Sequence, residues 1–352
     1  MKGPILIILS LLAVSVIGMG LVLGLSEAVN AHGGFRRTYV ERPLLSADTI
    51  DLTYDSYYIA GQTGHTLYLG NYSAPRHVVS VDVLTGDTTH IALAFENPDR
   101  IPLGDVKCRI DSPRVFLYDG TAPIIFQGDL LKKIVRPGDV PIPYFLDMEP
   151  MAGNRFSFRS LTSDGVAQLA YADVNEIAIP GILRKQVDGV FCTTGTMSYD
   201  QKFRELIYVH LYRNEVIILD TCLRIQRTIH TIDTVTTAKL SVASTSSGSL
   251  SVFSSPPVMV NRQSSVYDGR LVIHSQILAD NDDVSKFERG SDFDFYDLRN
   301  TGTGGSYLYT VYIPNFQNDE AKFHRMFNFQ INNRLAVLYP RHLLIYRVFN
   351  DN

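Results

Sequence analysis

The sequence predicts an all-β chain, a six-bladed β-propeller preceded by a single N-terminal transmembrane or signal-anchor helix. Three observations carry that expectation. Residues 4–25 hold no charge and are built almost wholly of Ile, Leu, Val, Gly and Ala, about the length that crosses a bilayer core as a helix. Beyond residue 43, apolar or alternating runs of roughly 5 to 8 residues are broken by Gly, Asn, Asp and Pro, and long 3.6-residue periodicities are missing. These runs recur in groups of about four with a period of roughly 40 to 60 residues, the range of propeller repeats.

Composition narrows the function. The 352 residues carry 32 Lys plus Arg against 36 Asp plus Glu, a formal charge of -4. That balance does not suit a protein that holds nucleic acid by neutralising phosphates, and no nucleic-acid partner is expected. A hydrophobic share of 45% excludes a disordered chain, and 19 Tyr and 18 Phe without any Trp favour pleated, half-buried surfaces. Cys108, Cys192 and Cys222 are odd in number, widely spaced and without a C-x-x-C pair. They fit neither a disulfide framework nor a zinc ribbon and read as free thiols packed as small hydrophobes.

At the N-terminus, the apolar run is longer than the core of a typical cleavable signal, which favours a retained anchor over residues 1–25. Lys2 and the small residues around Val29 to Ala31 keep cleavage near Ala31 open as the alternative. Charge does not fix the orientation, because Lys2 on one side faces Arg36, Arg37 and Arg42 on the other. Long domains translocate largely regardless of charge, so export of the large domain is favoured.

Residues 26–43 read as a polar connector and 44–352 as the propeller. The blades fall at about 55–95, 106–136, 142–179, 190–233, 257–313 and 323–349. The last offers only three strands, and the stretch 47–54 has no partner at the other end of the domain. If 47–54 completes the last blade, the two termini shut the ring and leave no long edge open. Two insertions break the rhythm. Residues 236–257, rich in Ser and Thr, read as a loop, and 279–290 reads as an acidic projection.

The runs RLVIHS, FDFYDLRN and YLYTVYIPN, with the terminal NRLAVLYPRHLLIYRV, resemble the blade endings of six-bladed, TolB-like propellers of the bacterial cell envelope. The resemblance covers about residues 45–350 and is one of pattern. It implies an inner-membrane protein held through residues 4–25 with its domain in the periplasm, or a secreted domain if the leader is cut. It implies no reaction.

Linear signatures of chemistry are missing. The nine His residues show no metal-ligand spacing. Asp280 to Asp283 begin like a calcium loop, but Ser285 and Ser291 stand where glycine and an acid are needed. There is no G-x-S-x-G elbow, and Gly302 to Ser306 lack the lysine of a phosphate loop. Asp292, Asp294 and Asp297 form paired carboxylates, of which the alternate Asp292 and Asp294 read as the wet face of a strand. No catalytic residue, metal or cofactor is therefore assigned.

What remains is the mouth that the resemblance implies, where turns between second and third strands surround the central channel. Those turns hold Tyr72, Arg76, Tyr212, Arg213, Asn214, Tyr339 and Arg341, residue types suited to recognition. The expected function is a membrane-tethered binding or scaffold propeller for a protein or small ligand. The alternative is a hydrolase or lyase with its site assembled at the mouth.

Overall fold

The computed structural model describes residues 33–40, 44–96, 104–244, 251–299, 306–316, 326–330 and 333–348. The apolar run at 4–25 and the cleavage position near Ala31 lie outside these residues. Among the described residues no helix is long and apolar enough to cross a membrane.

The chain is built from antiparallel meanders. After β1 (Leu44–Asp51) come β2 (Tyr57–Thr63), β3 (Thr66–Asn71), β4 (His77–Asp82) and β5 (Thr88–Ala92), then the short β6 (Ala94–Phe95). The next meander has β7 (Lys107–Asp111), β8 (Arg114–Asp119), β9 (Ile124–Asp129) and β10 (Ile134–Pro137). It is followed by β11 (Phe145–Met151), β12 (Arg155–Leu161), β13 (Ala167–Ala172) and β14 (Ile177–Ala178), and then by β15 (Gly195–Asp200), β16 (Glu205–His210), β17 (Glu215–Leu219) and β18 (Ile225–His230). A small pair, β19 (Val242–Ser244) and β20 (Ser251–Phe253), precedes β21 (Asn261–Tyr267), β22 (Arg270–Ser275), β23 (Gly290–Asp297) and β24 (Ser306–Pro314). The last strands are β25 (Met326–Gln330), β26 (Arg334–Leu338) and β27 (His342–Val348).

Each meander forms a four-stranded sheet in chain order, except that β1 joins β25, β26 and β27 in the order β1-β27-β26-β25. Ile50 stands opposite Leu343 and Asp51 opposite His342, so the two ends of the domain share one sheet. The first two meanders touch through the parallel pair Gly61 and Ile110 and through β6 beside β10, which makes them one nine-stranded sheet.

Middle strands such as β3 (TLYLGN), β8 (RVFLYD), β22 (RLVIHS) and β26 (RLAVL) are buried along almost their whole length. Their continuous apolar runs follow from having a sheet on both faces. Outer strands are wetter, as in β5 (TTHIA) and β18 (IQRTIH), which blunts open sheet edges against pairing with other chains.

The seams between sheets hold the core. Tyr58 and Val78 pack on Cys108 and Leu117, Phe116 and Tyr118 on Phe156 and Phe158, and Met151 and Leu169 on Tyr208 and Leu219. Ile207 and Val209 meet Leu271 and Ile273, and Phe293 and Val311 meet Leu335 and Val337. Finally Leu67, Leu69 and Val79 meet Ala336, Leu338 and Leu343, so the last sheet packs on the first and the order is cyclic. Each such fully buried side chain contributes roughly 1.5–3 kcal/mol. Sequential four-stranded sheets closed into a ring are a β-propeller.

Three segments differ from the sequence expectation. The Ser/Thr-rich stretch is not all loop, because Val242 pairs with Phe253 across β19 and β20. Phe253 packs on Phe191, with ring centroids 4.2 Å apart, and on Tyr212, so apolar anchoring outweighs the weak strand propensity of the serines. The acidic insertion contains a short helix, α1 (Val284–Glu288), capped by Asp283, whose side chain accepts from the Lys286 amide. Residues 33–40, within the expected polar connector, are built into the domain, with Phe35 and Arg37 buried.

Candidate functional site

The first strands of the sheets, β2, β7, β11, β15, β21 and β25, all run the same way and surround a cavity of about 1290 Å³. At the end where these strands begin lie the connections between sheets and the turns from second to third strands. We call this the loop end and its opposite the far end.

Side chains bridge the far end. Gln201 Nε2 donates to Asp111 Oδ1 at 2.9 Å, and Arg114 pairs with Asp111 while donating to Asn154 Oδ1 at 3.0 Å. Lys202 pairs with Asp268. Asp200 accepts the amides of Lys202, Phe203 and Gly269, tying the β15–β16 turn to the β21–β22 turn.

Midway along the cavity, Arg109 of β7 stitches three meanders together. It donates from Nη1 to the Ile59 carbonyl at 3.2 Å and from Nε to the Met148 carbonyl at 3.4 Å. Its guanidinium faces Glu149 at 3.4 Å and Asp147 at 3.8 Å. Two residues apart on β11, these carboxylates point to the same side of the sheet. Burial pushes the Glu149 carboxyl up to about 7; Arg109 opposes the rise and Asp147 adds to it. Opposite, Thr196 and Ser264 share a hydroxyl hydrogen bond of 2.6 Å, and Gln263 Oε1 accepts from the Phe327 amide. Tyr57, Tyr72, Tyr199, Tyr267, Tyr339 and Phe327 add aromatic surface. The result is a half-enclosed volume with apolar faces, fixed hydroxyls and amides, the Arg109 guanidinium shared by two carboxylates, and a second arginine, Arg262, on its wall.

The mouth residues expected from the sequence separate into three sets. Tyr72 and Tyr339 line the cavity. Tyr72 is half exposed with its ring 4.4 Å from that of Tyr58, and Tyr339 is buried near Phe316. Arg76 and Arg341 are exposed on loop-end turns and do not line the cavity. Tyr212, Arg213 and Asn214 are buried. Arg213 donates to the Cys192 carbonyl at 3.0 Å, meets His210 Nε2 at 2.8 Å and pairs with Glu215 at 3.2 Å. Asn214 donates to the Asp233 carbonyl at 2.7 Å, and Tyr212 packs with Cys192 and Phe253. These three tie the fourth meander to the connections before and after it.

Sequence pattern points to turn residues for a mouth, whereas Arg109, Asp147 and Glu149 lie on strands. Their signal was present in the alternating acids of FLDMEPM, placed on a first strand. The acids read as the wet face of β23 belong elsewhere: Asp292 and Asp294 are buried against Arg37. The guanidinium comes from a segment too distant in sequence to be paired with them by pattern. Among the described residues no group of three or more His, Cys, Asp or Glu is placed to hold a metal ion.

No protein-family model and no curated protein matches the sequence. Among solved structures the chain is similar to a member of the DUF4221 family from Bacteroides vulgatus, with a TM-score of 0.53 and 13% identity over 89% of this chain and 99% of that one. It is more distantly similar to streptogramin B lyase, with a TM-score of 0.47 and 9% identity over 87% and 98% of the two chains. A third likeness is to the β-propeller domain of Cps50 (Swd1) from Myceliophteria thermophila, with a TM-score of 0.43 and 11% identity over 86% and 100%. At such identities the likeness is one of fold alone, and the fold reached from the sheets themselves is the β-propeller.

Proposed function

We propose that the protein is a six-bladed binding propeller, tethered to a membrane by residues 4–25, whose central cavity takes a small polar ligand. The cavity is the observation that carries this reading. Its volume of about 1290 Å³ exceeds the roughly 300–1,000 Å³ of small-molecule sites and so has room for such a ligand, and its mixture of aromatic faces with a few fixed polar groups is the usual composition of such sites. Six blades are supported by five complete meanders and by β1 completing β25–β27. The tether is supported by the uncharged run in the sequence, and an inner-membrane, periplasm-facing location by the TolB-like pattern.

A second reading, an enzyme, is favoured by one observation. Glu149, raised to about 7 beside Asp147, is a carboxyl able to exchange a proton near neutral pH.

The full chain in detergent, assayed by thermal shift against monosaccharides, amino acids and dipeptides, tests both. Stabilisation by one of these classes is expected in the wild type and lost in Ser198→Trp, which fills the cavity from its wall. A ligand that stabilises both proteins equally binds elsewhere and sinks the reading. Turnover of a bound compound that disappears in Glu149→Gln selects the enzyme.

A further inference from the structure

After a bend at Gly34, where φ is +72°, residues 35–40 run against the blade formed by β21–β24, with Phe35, Arg37 and Tyr39 turned inward. Phe35 packs on Val235, Val260, Ile277 and Ala279. The Arg37 side chain, fully enclosed, pairs with Asp282, with Asp294 at 3.0 Å and with Asp292 at 3.6 Å, and donates to Ser275 Oγ at 2.7 Å. The Tyr39 hydroxyl donates to Asp282 at 2.7 Å. The backbone is held as firmly. Asn281 accepts from the Arg37 amide and donates to its carbonyl, Thr310 bonds both Thr38 and Val40, and the Asp280 amide donates to the Phe35 carbonyl. Tyr39 bridges the edge strand β24 in parallel at Thr310, and the rest of the segment is held by the β22–β23 loop and by pockets for its side chains.

The clasp fixes where the chain enters the domain. Gly33 donates to the Leu278 carbonyl at 2.8 Å and accepts from Thr234 Oγ1 at 2.5 Å. Leu278 lies between β22 and β23, and Thr234 follows β18, so both belong to the loop end. From residue 25 to residue 33 a fully extended chain reaches about 28 Å. The seven-residue β21 alone is about 23 Å long, before the turns at either end are added. Bringing the far end to the surface holding residues 4–25 would consume the whole reach of the connector; bringing the loop end there would not.

We infer that the clasp of Phe35, Arg37 and Tyr39 sets the propeller with the loop end of its cavity toward the lipid bilayer, so that the cavity receives its ligand from the membrane side. This rests on the proposed membrane tether. The cavity mouth and the loop-end turns carrying Tyr72, Arg76 and Arg341 are then the membrane-proximal surface, and the β4–β5 and β17–β18 turns are the distal one.

The test uses the full chain in phosphatidylethanolamine–phosphatidylglycerol vesicles containing a rhodamine lipid. A donor dye is attached through Ala74→Cys at the loop end or Thr85→Cys at the far end, each with Cys222→Ser; Cys108 and Cys192 are buried. Energy transfer is expected to be at least about twofold stronger from position 74 than from position 85. Adding Phe35→Ala, a milder change than removal of Arg37, should narrow that difference. Equal or stronger transfer from position 85 overturns the orientation while leaving the tether standing. Failure of the unlabelled chain to float with the vesicles removes the tether, and the orientation with it.

Discussion

Gln201, in the turn after β15, donates to Asp111 at the end of β7 at 2.9 Å, passing over the β11–β14 sheet that lies between them in the ring. Because Asp111 also pairs with Arg114, which in turn reaches Asn154, three consecutive blades are tied at the far end of the cavity.

This bond predicts a separation between stability and access. Gln201→Ala removes one exposed hydrogen bond and should cost no more than about 1 kcal/mol in urea unfolding. Opening the far end should speed peroxide oxidation of the cavity-lining Met197, read by peptide mass spectrometry. Unchanged oxidation would mean that this bond does not limit access.

Arg213 illustrates how a recognition residue on paper becomes a structural one. Its side chain is fully enclosed among the Cys192 carbonyl, His210 and Glu215. Burial, reinforced by the adjacent guanidinium, holds His210 well below the usual histidine range, so the ring stays neutral and free to accept. Arg213→Ala should lower stability by about 2–3 kcal/mol, because the buried Cys192 carbonyl and His210 lose their donor. Exposed Arg341→Ala should stay within about 0.5 kcal/mol. Comparable denaturation midpoints for the two variants would contradict the burial argument.

The ring was legible because its signals are local. Runs such as RVFLY and RLAVL, cut by turn residues, give strands and their order, and the missing fourth strand beside His342 to Val348 has an obvious candidate before residue 55. The site was less legible because it is made by convergence. Arg109 comes from one first strand and Asp147 and Glu149 from the next, and no spacing in the chain announces that they meet. Arg37 and its three aspartates are some 240 to 260 residues apart. Pattern also fails to separate exposed Arg76 and Arg341 from buried Arg213, since all three follow strand ends; only the packing of Cys192 and Phe253 over Tyr212 decides which is covered.

Gly61 is a position where absence of a side chain is required. It pairs with Ile110 between β2 and β7, and an added Cβ would stand 2.0 Å from the Ile110 carbonyl oxygen. Neither backbone can yield without opening the cavity wall. Gly61→Ala should cost about 2 kcal/mol or more, at the upper part of the overpacking range. Gly64→Ala, with open space around it but a φ of +57°, should cost about 1 kcal/mol through backbone strain alone. If Gly61→Ala were the milder of the two, the close approach of β2 to β7 would be wrong.

The Arg37 cluster predicts a pH dependence of definite sign. Burial raises the Asp292 carboxyl to about 7; Arg37 works against that rise, and Asp282 and Asp294 add to it. In the unfolded chain the group returns to about 3.9, so between these values the folded state binds more protons than the unfolded one. Its contribution to stability is then full below about pH 4 and is lost as pH rises through about 7, a change on the order of a few kcal/mol for a side chain only 2% exposed. Asp292→Asn keeps an oxygen to accept from Tyr39 and removes the titration. Urea unfolding from pH 4.5 to 8 should therefore show a flatter curve for Asp292→Asn than for the wild type, with the variant the more stable at pH 8. A steeper curve, or a variant weaker than wild type at every pH, would mean that Arg37 compensates all three carboxylates in their charged form.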